Sequence, residues 1–312
     1  MPMFRWPAAV SLALALAPAP AQERPIIRVE VKLVRVLATV KDAAGQPAGA
    51  LERDDFEIYD NGARQQVAVF ERQTAQPLYV AVMVDTSGST AKELRYEIDS
   101  VQRFFKAFVA EGNPEDRLAL YSFNWQVTRE HFFTRALAGL ERSLKNLKGE
   151  AGTSLYDAIY LAAGDLEPRD GRKAMIIVTD GGDTTSRKDF HAALQAAQLA
   201  DAVIFPVVVI PITNDAGRNV GGEHALTTMA QGTGGRTFLP TVGAELDRAF
   251  ADILRDLRTQ YLLAYYPRDV PLTKNRFHKL EVRVRRPDLR VTARNGYYGD
   301  AEGGPAAPRT RD

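Results

Sequence analysis

A carboxylate and two hydroxyls follow the first long apolar run of the chain. Residues 78–84 are continuously apolar, which is typical of a strand buried on both faces of a parallel sheet. Asp85, Ser87 and Ser89 come directly after this run, in an Asp-x-Ser-x-Ser pattern. Alternate residues of an extended or turning segment point the same way, so these three side chains can converge beyond the strand. Their oxygen atoms are hard ligands that suit Mg²⁺, Mn²⁺ or Ca²⁺.

Two further segments carry oxygen ligands that the same edge of a sheet could bring together. Thr153 lies just ahead of a predicted helix, and Asp180 follows a second apolar run at residues 174–178. In a doubly wound sheet the binding site lies at the carboxyl ends of the strands. Each segment alone is also compatible with an ordinary helix cap or turn. The combination of all three segments is what predicts a site.

The order of these motifs resembles that of von Willebrand factor type A domains with a metal-ion-dependent adhesion site. The matching positions are Asp85, Ser87, Ser89, Thr153 and Asp180. The resemblance implies that these side chains hold one divalent cation, Mg²⁺ or else Mn²⁺ or Ca²⁺, with Asp180 often acting through water. It also implies a protein partner that offers an Asp or Glu carboxylate to the ion. The flanking segments are similar to those of bacterial exported proteins built around this domain.

The predicted donor set would leave a bound cation attractive to a partner. Two carboxylates balance a divalent charge only formally, and a water molecule between Asp180 and the ion weakens that donation. Hydroxyl ligands donate no net charge, so the ion would stay electrophilic, with one position left to water or to an incoming carboxylate of a partner. Asp183 lies close by in sequence, and we interpret it as a loop residue or a support for the ligands.

Alternating strand and helix patterns place these motifs in one α/β domain, residues 77–257. Strands are predicted at residues 78–84, 118–123, 126–132, 174–178 and 203–210. Helices are predicted at residues 91–110, 135–147, 155–163, 188–200, 224–230 and 244–257. Thr90 and Glu93 have the spacing of a capping box for the first helix. This order of elements predicts a doubly wound, mostly parallel sheet with helices on both faces.

Short β segments flank the α/β domain, and neither is large enough to bury a core alone. We therefore expect an N-terminal unit, residues 24–74, to pack with C-terminal strands in residues 259–299 as a small β-sandwich-like unit. Gly, Pro, Ala and charged residues fill the tail, residues 300–312, which is predicted to be disordered.

A tight hairpin is predicted inside the N-terminal unit. Phe56 and Ile58 alternate with polar residues ahead of Asn61-Gly62, a pair that accepts the positive φ angles of a type I′ turn. Val67 and Val69 are predicted to begin the return strand. The unit has no room for a crossover helix.

The N-terminus has the features of an export signal, residues 1–21. Arg5 provides a short positive region, residues 8–17 are apolar, and Ala19-Pro20-Ala21 gives the small-x-small pattern for cleavage after Ala21. The apolar run is shorter than the ~20 residues that span a bilayer, and an uncleaved anchor is the alternative. No later segment predicts a membrane span. We expect the protein in the periplasm, in the cell envelope or secreted.

Composition and residue spacing argue against several functional classes. The chain has no Cys, which excludes disulfides, a lipid-modified cysteine, thiolate metal sites and cysteine nucleophiles. A net charge of +1, without a basic run that carries aromatics, gives no reason to expect nucleic acid as a partner.

The chain is not expected to be an enzyme. Ser87 lacks the Gly-x-Ser-x-Gly elbow of a hydrolase, and the four His residues show no ligand-like spacing. Two alternatives stay open at this point. One is a metal-dependent hydrolase, or a glycosidase with paired carboxylates. The other is a structural envelope component whose ion only stabilises loops. The sequence does not determine the identity of the partner or the oligomeric state.

Overall fold

The computed structural model describes residues 33–72, 76–90, 93–210, 219–241, 243–271, 273 and 276–299. These ranges contain a five-stranded sheet flanked by helices and two four-stranded antiparallel sheets. The predicted α/β fold class, with additional β strands, is confirmed. The expected signal segment and the expected disordered tail lie outside the described residues. Within the described ranges, none of the helices combines the length and apolar character needed to cross a bilayer.

Thirteen strands and six α-helices make up the described ranges. The strands are β1 (Val34–Lys41), β2 (Phe56–Asp60), β3 (Ala63–Gln65), β4 (Val69–Arg72), β5 (Leu78–Asp85), β6 (Arg117–Phe123), β7 (Val127–Thr134), β8 (Arg172–Thr179), β9 (Ala202–Val208), β10 (Tyr261–Tyr265), β11 (Phe277–Val284), β12 (Arg290–Ala293) and β13 (Gly296–Tyr298). The helices are α1 (Leu94–Glu111), α2 (Leu137–Lys145), α3 (Leu155–Leu166), α4 (Phe190–Leu199), α5 (Val220–Thr233) and α6 (Ala244–Arg258).

The five-stranded sheet has the order β7-β6-β5-β8-β9, and every pairing is parallel except that of the edge strand β7. From β5 the chain adds β6 and then β7 on one side of the sheet, and it then crosses to the other side of β5 to add β8. This reversal is a topological switch point, where α/β sheets form their binding crevices. The carboxyl ends of β5, β6 and β8 meet at that point.

Both faces of this sheet are covered by helices, which explains the uninterrupted apolar runs in β5, β8 and β9. Helices α1, α2 and α6 contribute to the core on one face, and α3, α4 and α5 to the core on the other. Along β5, Val80 and Val82 lie in the first core and Ala81 and Met83 in the second. This alternation is the two-residue period of a strand.

Helix α1 begins later than predicted, and the predicted capping box is wrong. Glu93 occupies the N-cap position and makes no side-chain cap hydrogen bond. The Thr90 hydroxyl instead donates to the carbonyl oxygens of Asp85 at 3.1 Å and Ser87 at 3.0 Å. The Thr90 hydroxyl therefore hydrogen-bonds to the turn after β5 and does not cap the helix, although its spacing from Glu93 had predicted a cap.

Helix α5 is longer than the predicted segment 224–230. Asn219 caps its start by accepting a hydrogen bond from the Gly222 N–H at 2.8 Å, and Gly234 ends it with a φ of +87°. A Cβ atom on Gly222 would lie 1.2 Å from the Gly181 carbonyl oxygen. Glycine therefore lets the start of α5 approach the loop that follows β8.

The strands that flank the α/β domain pair with one another in two sheets. One sheet has the order β12-β1-β10-β4, and the other has the order β13-β11-β2-β3. Each combines strands from both ends of the chain, because β1 pairs with β10 and β12 while β2 pairs with β11. Their shared core includes Val36, Ile58, Leu263 and Tyr265.

The predicted hairpin turn is present, but the predicted return strand is wrong. Asn61 and Gly62 have φ angles of 48° and 83°, as a type I′ turn requires. Because the turn has only two residues, strand pairing resumes directly after it, and β3 starts at Ala63 opposite Asp60. Val69 instead begins β4, which pairs with β10 in the other sheet.

A buried carboxylate links the two antiparallel sheets. Asp60 accepts hydrogen bonds from the Tyr265 and Tyr297 hydroxyls, each at 2.8 Å, and lies 2.9 Å from His278 Nδ1. Tyr265 belongs to β10 of one sheet, whereas the other three residues belong to the second sheet. The network satisfies the polar atoms that this core would otherwise leave without partners.

Candidate metal centre

Three segments are hydrogen-bonded to one another at the carboxyl edge of the five-stranded sheet. The turn after β5 pairs with the loop ahead of α3, where Glu150 N–H donates to the Thr86 carbonyl oxygen at 2.8 Å. That loop contacts the segment after β8, where Thr184 N–H donates to the Thr153 carbonyl oxygen at 2.8 Å. The Thr179 hydroxyl, at the end of β8, donates to the Asp85 carboxylate at the end of β5 and so connects the third segment to the first.

Asp85 is fully buried at the end of β5 and is held from two sides. Its Oδ1 accepts from the Ser87 N–H at 2.8 Å, and its Oδ2 accepts from the Thr179 hydroxyl at 2.6 Å. Burial, assisted by the negative charge of Asp180, raises the pKa of Asp85 to about 6, although these hydrogen bonds oppose the shift. The carboxylate is thus fixed in position and retains an uncompensated negative charge when ionised.

The two serine hydroxyls of the Asp-x-Ser-x-Ser turn converge. Ser87 Oγ lies 3.0 Å from Ser89 Oγ. Ser87 is buried, whereas Ser89 is exposed, so the pair extends from the end of the strand to the surface. A ligand held between these hydroxyls would therefore be reachable from solvent.

Thr153 and Asp180 lie on the other two segments of this edge. Thr153 is buried, and its N–H donates to the Thr184 hydroxyl at 2.9 Å. Asp180 directly follows β8 and is half-buried, and its charge acts on Asp85. All the residues predicted for the site therefore lie on the three mutually bonded segments.

Asp183 serves as a loop support in this structure. Its Oδ1 accepts from the Tyr156 N–H at 3.2 Å and from the Ser186 hydroxyl at 2.5 Å. The first of these bonds satisfies a free N–H group in the first turn of α3. Both bonds keep the segment after β8 against the start of that helix.

Glu97 on α1 is a residue of this region that the sequence reasoning missed. It is fully buried, and neither carboxyl oxygen has a hydrogen-bond partner among the described residues. Burial raises the pKa of Glu97 well above its usual value, and the charges of Asp85 and Asp180 raise it further. The available signal was its position: Glu97 falls one helical turn from Leu94 and Val101, on the apolar side of the helix.

The chemistry of this region fits a divalent cation. No Lys, Arg or His in the described ranges forms an ion pair with Asp85, Asp180 or Glu97. Buried carboxyl groups without a positive partner must take up protons or a cation. Within the same ranges, no three Asp, Glu, His or Cys side chains are close enough to hold a metal by themselves. A site here would depend on its hydroxyl groups.

Comparison with known proteins agrees with this architecture. Residues 80–182 match the family model of the von Willebrand factor type A domain. The vWF domain of the type V pili tip protein Mfa5 from Porphyromonas gingivalis has a TM-score of 0.50 at 16% identity, over 58% of this chain and 95% of that chain. Proximal thread matrix protein 1 from the mussel byssus also scores 0.50 at 16% identity, over 64% and 49% of the two chains.

A third similar structure is the conserved hypothetical protein BatB from Bacteroides thetaiotaomicron. Its TM-score is 0.47 at 17% identity, over 58% of this chain and 100% of that chain. No curated protein matches this chain by sequence. At these identities the structural likeness establishes the fold alone.

Replacing Glu97 by Gln should stabilise the cation-free protein at high pH. A carboxyl with a raised pKa contributes its stability below the unfolded-state value and loses it as pH rises. The melting temperature of the wild type should therefore fall from pH 5 to pH 8 more steeply than that of Glu97→Gln. Thermal melts across this range, without divalent ions, provide the measurement.

Glu111→Gln is the matched control, because Glu111 lies on the same helix and is exposed. Its pH profile should follow that of the wild type. A Glu97→Gln protein that is less stable than the wild type at both pH values would contradict the assignment of Glu97 as an unpartnered carboxyl.

Proposed function

This chain contains a von Willebrand factor type A domain, and from that premise we propose that it binds one divalent cation and, through it, a protein partner. The observation that carries the proposal is the group of carboxyl and hydroxyl oxygens at the carboxyl edge of the sheet, which has no positive side-chain partner among the residues that the structure describes. The residues that would hold the ion are Asp85, Ser87, Ser89, Thr153 and Asp180. Mg²⁺ is the expected ion, and Mn²⁺ and Ca²⁺ suit the same ligands.

The proposed ion would act as a contact point and not as a catalyst. The set contains two carboxylates and three neutral hydroxyls, so a bound divalent ion retains affinity for further negative charge. A carboxylate of the partner would supply that charge at the exposed Ser89 end of the site. A direct ionic bond of this kind is strengthened where neighbouring protein groups exclude water.

An exposed aromatic side chain beside the site supports a protein as the partner. Trp125 is 56% exposed, and its N–H donates to the Ala151 carbonyl oxygen at 3.1 Å, in the loop that also carries Thr153. Its indole Nε1 donates to Glu150 Oε2 at 2.5 Å, which holds the ring in place. Large rigid aromatic residues are enriched among the side chains that contribute most to protein–protein binding.

We place the protein in the cell envelope or outside the cell. The N-terminal residues predict an export signal, and the chain contains no Cys that export would oxidise. The similar vWF domain of Mfa5 comes from a pili tip protein, which is also an envelope setting. An interaction within the envelope is therefore the proposed role.

Capture from an envelope fraction tests this function. Immobilised full-length protein should retain a partner in Mg²⁺ buffer and release it when the ion is chelated. Asp85→Asn should abolish the capture without lowering the melting temperature of the cation-free protein, because it removes a buried carboxyl whose pKa is raised. Asp170→Asn, which changes an exposed aspartate ahead of β8, should capture normally.

Two results would contradict the proposal and favour the alternatives. Capture that survives in Asp85→Asn, together with a large loss of Mg²⁺-dependent thermal stability, would assign the ion a structural role. Turnover of ester, phosphate or glycoside substrates that requires both Mg²⁺ and Asp85 would identify a hydrolase.

The affinity for Mg²⁺ should decrease at low pH. Because the pKa of Asp85 is raised to about 6, a proton competes with the ion below that pH. One unit below the pKa, about nine molecules in ten are protonated, so binding at pH 5 should be about tenfold weaker than at pH 7.5. Calorimetric titration at the two pH values measures this, and equal affinities would contradict the role assigned to Asp85.

A further inference from the structure

A small crevice lies at the opposite end of the sheet from the candidate metal centre. Its volume is about 40 Å³, and it is lined by the first residues of β8 and β9 together with Arg35 of β1 and Arg294, which follows β12. A single water requires roughly 10–15 Å³ by the same measure, so the crevice has room for a small polyatomic ligand. It lies where the antiparallel sheets meet the α/β domain.

The crevice has an excess of positive charge. Four basic side chains and one carboxylate contribute to its lining: Arg35, Arg172, Lys173, Arg294 and Asp201. Asp201 already forms an ion pair with Arg294. In the described part of the chain the other three basic groups pair with no carboxylate, and they donate instead to neutral oxygens.

Arg172 carries the strongest evidence that a ligand is needed. The residue is only 4% exposed, and its guanidinium donates to the carbonyl oxygens of Leu257 and Gln76. Its Nε has no hydrogen-bond partner among the described residues, and the same holds for Nε of Arg294. The nearby Asp116 carboxylate is already paired with Arg258, and a buried guanidinium without an ion pair of its own or a full set of acceptors is costly.

The electrostatics of the crevice agree with this description. Burial, with a contribution from the charge of Arg258, lowers the pKa of Arg172 to about 10, so the group is still charged at neutral pH. Burial also lowers the pKa of Lys173; the charge of Asp201 opposes this shift, and the charge of Arg35 adds to it. An anion between these groups would offset the cost of desolvation and reduce the repulsion between the positive charges.

We propose that this crevice binds a small oxyanion group, either a phosphate or a carboxylate. Guanidinium groups recognise both through paired N–H···O contacts, and Lys173 would add a point charge. Arg172 and Lys173 come from the α/β domain, whereas Arg35 and Arg294 come from the antiparallel sheets. A bound oxyanion therefore bridges these two parts of the fold and stabilises their contact.

Titration of the full-length protein with simple anions tests the proposal. The protein is first freed of divalent ions on a chelating resin, so that the candidate metal centre cannot take part. Sodium phosphate, sodium acetate and sodium chloride are then compared at equal ionic strength by calorimetry and thermal melting. We expect saturable one-site binding of phosphate or acetate, with a rise in melting temperature that chloride does not produce.

Two partly exposed basic residues provide the variants. Lys173→Gln and Arg35→Gln should each weaken anion binding by about tenfold, since a charged hydrogen bond contributes about 1.5 kcal/mol or more. Lys145→Gln is the control, because it removes one positive charge at an exposed position of α2, outside the crevice. It should bind the anions as tightly as the wild type does. Arg172 itself is left unchanged, because its burial makes misfolding an outcome of substitution.

Binding of phosphate alone assigns a phosphoryl ligand, and binding of acetate alone assigns a carboxylate. The proposal is overturned if neither anion binds saturably, or if both crevice variants bind as tightly as Lys145→Gln. Because the experiment contains no divalent ion, failure of the proposed metal-dependent function would leave its outcome unchanged.

Discussion

Two segments of the chain donate hydrogen bonds to the buried carboxylate of Asp85 and partly compensate its burial. An ionised carboxylate in a protein interior is several kcal/mol unfavourable unless hydrogen bonds or an opposite charge compensate it. One donor is the Ser87 N–H of its own turn, and the other is the Thr179 hydroxyl at the end of β8. The parallel pairing of β5 with β8 therefore sets the geometry of the whole edge, because it brings Thr179 into reach and places Asp180 next to it.

Helix α1 gives this edge its unusual electrostatics. It begins just after the Asp-x-Ser-x-Ser turn and carries Glu97 into the interior, where the carboxyl meets no positive group among the described residues. The cation-free protein thus holds acidic groups whose pKa values are raised, and a cation that replaces their protons would stabilise the fold as it binds. In the proposed function, cation binding and stability would be coupled through the same few side chains, and exposed Ser89 would leave the site open to a partner.

Much of the fold follows from local sequence patterns, and the exceptions have physical causes. Uninterrupted apolar runs predicted β5, β8 and β9 of the central sheet, because helices cover both of its faces. Alternation could not show that β3 and β4 enter different sheets. The pattern indicates which face of a strand is buried, but it does not indicate which strand lies next to it. Spacing assigned the Thr90 hydroxyl to a helix cap, although the turn carbonyls compete for it. Glu97 escaped notice because a single charged residue on a helix is ordinarily solvated. The basic crevice joins Arg35 to Arg294, which only the folded chain brings together.

Anomalous diffraction from crystals grown with Mn²⁺ tests the central claim most directly, because it locates the ion without reference to any partner. The account predicts one strong peak at the carboxyl edge of the sheet, about 2.0–2.6 Å from the Ser87 and Ser89 hydroxyl oxygens and adjacent to Thr153 and Asp180. The absence of a peak between these hydroxyls, in crystals where Mn²⁺ is present in excess, would contradict it.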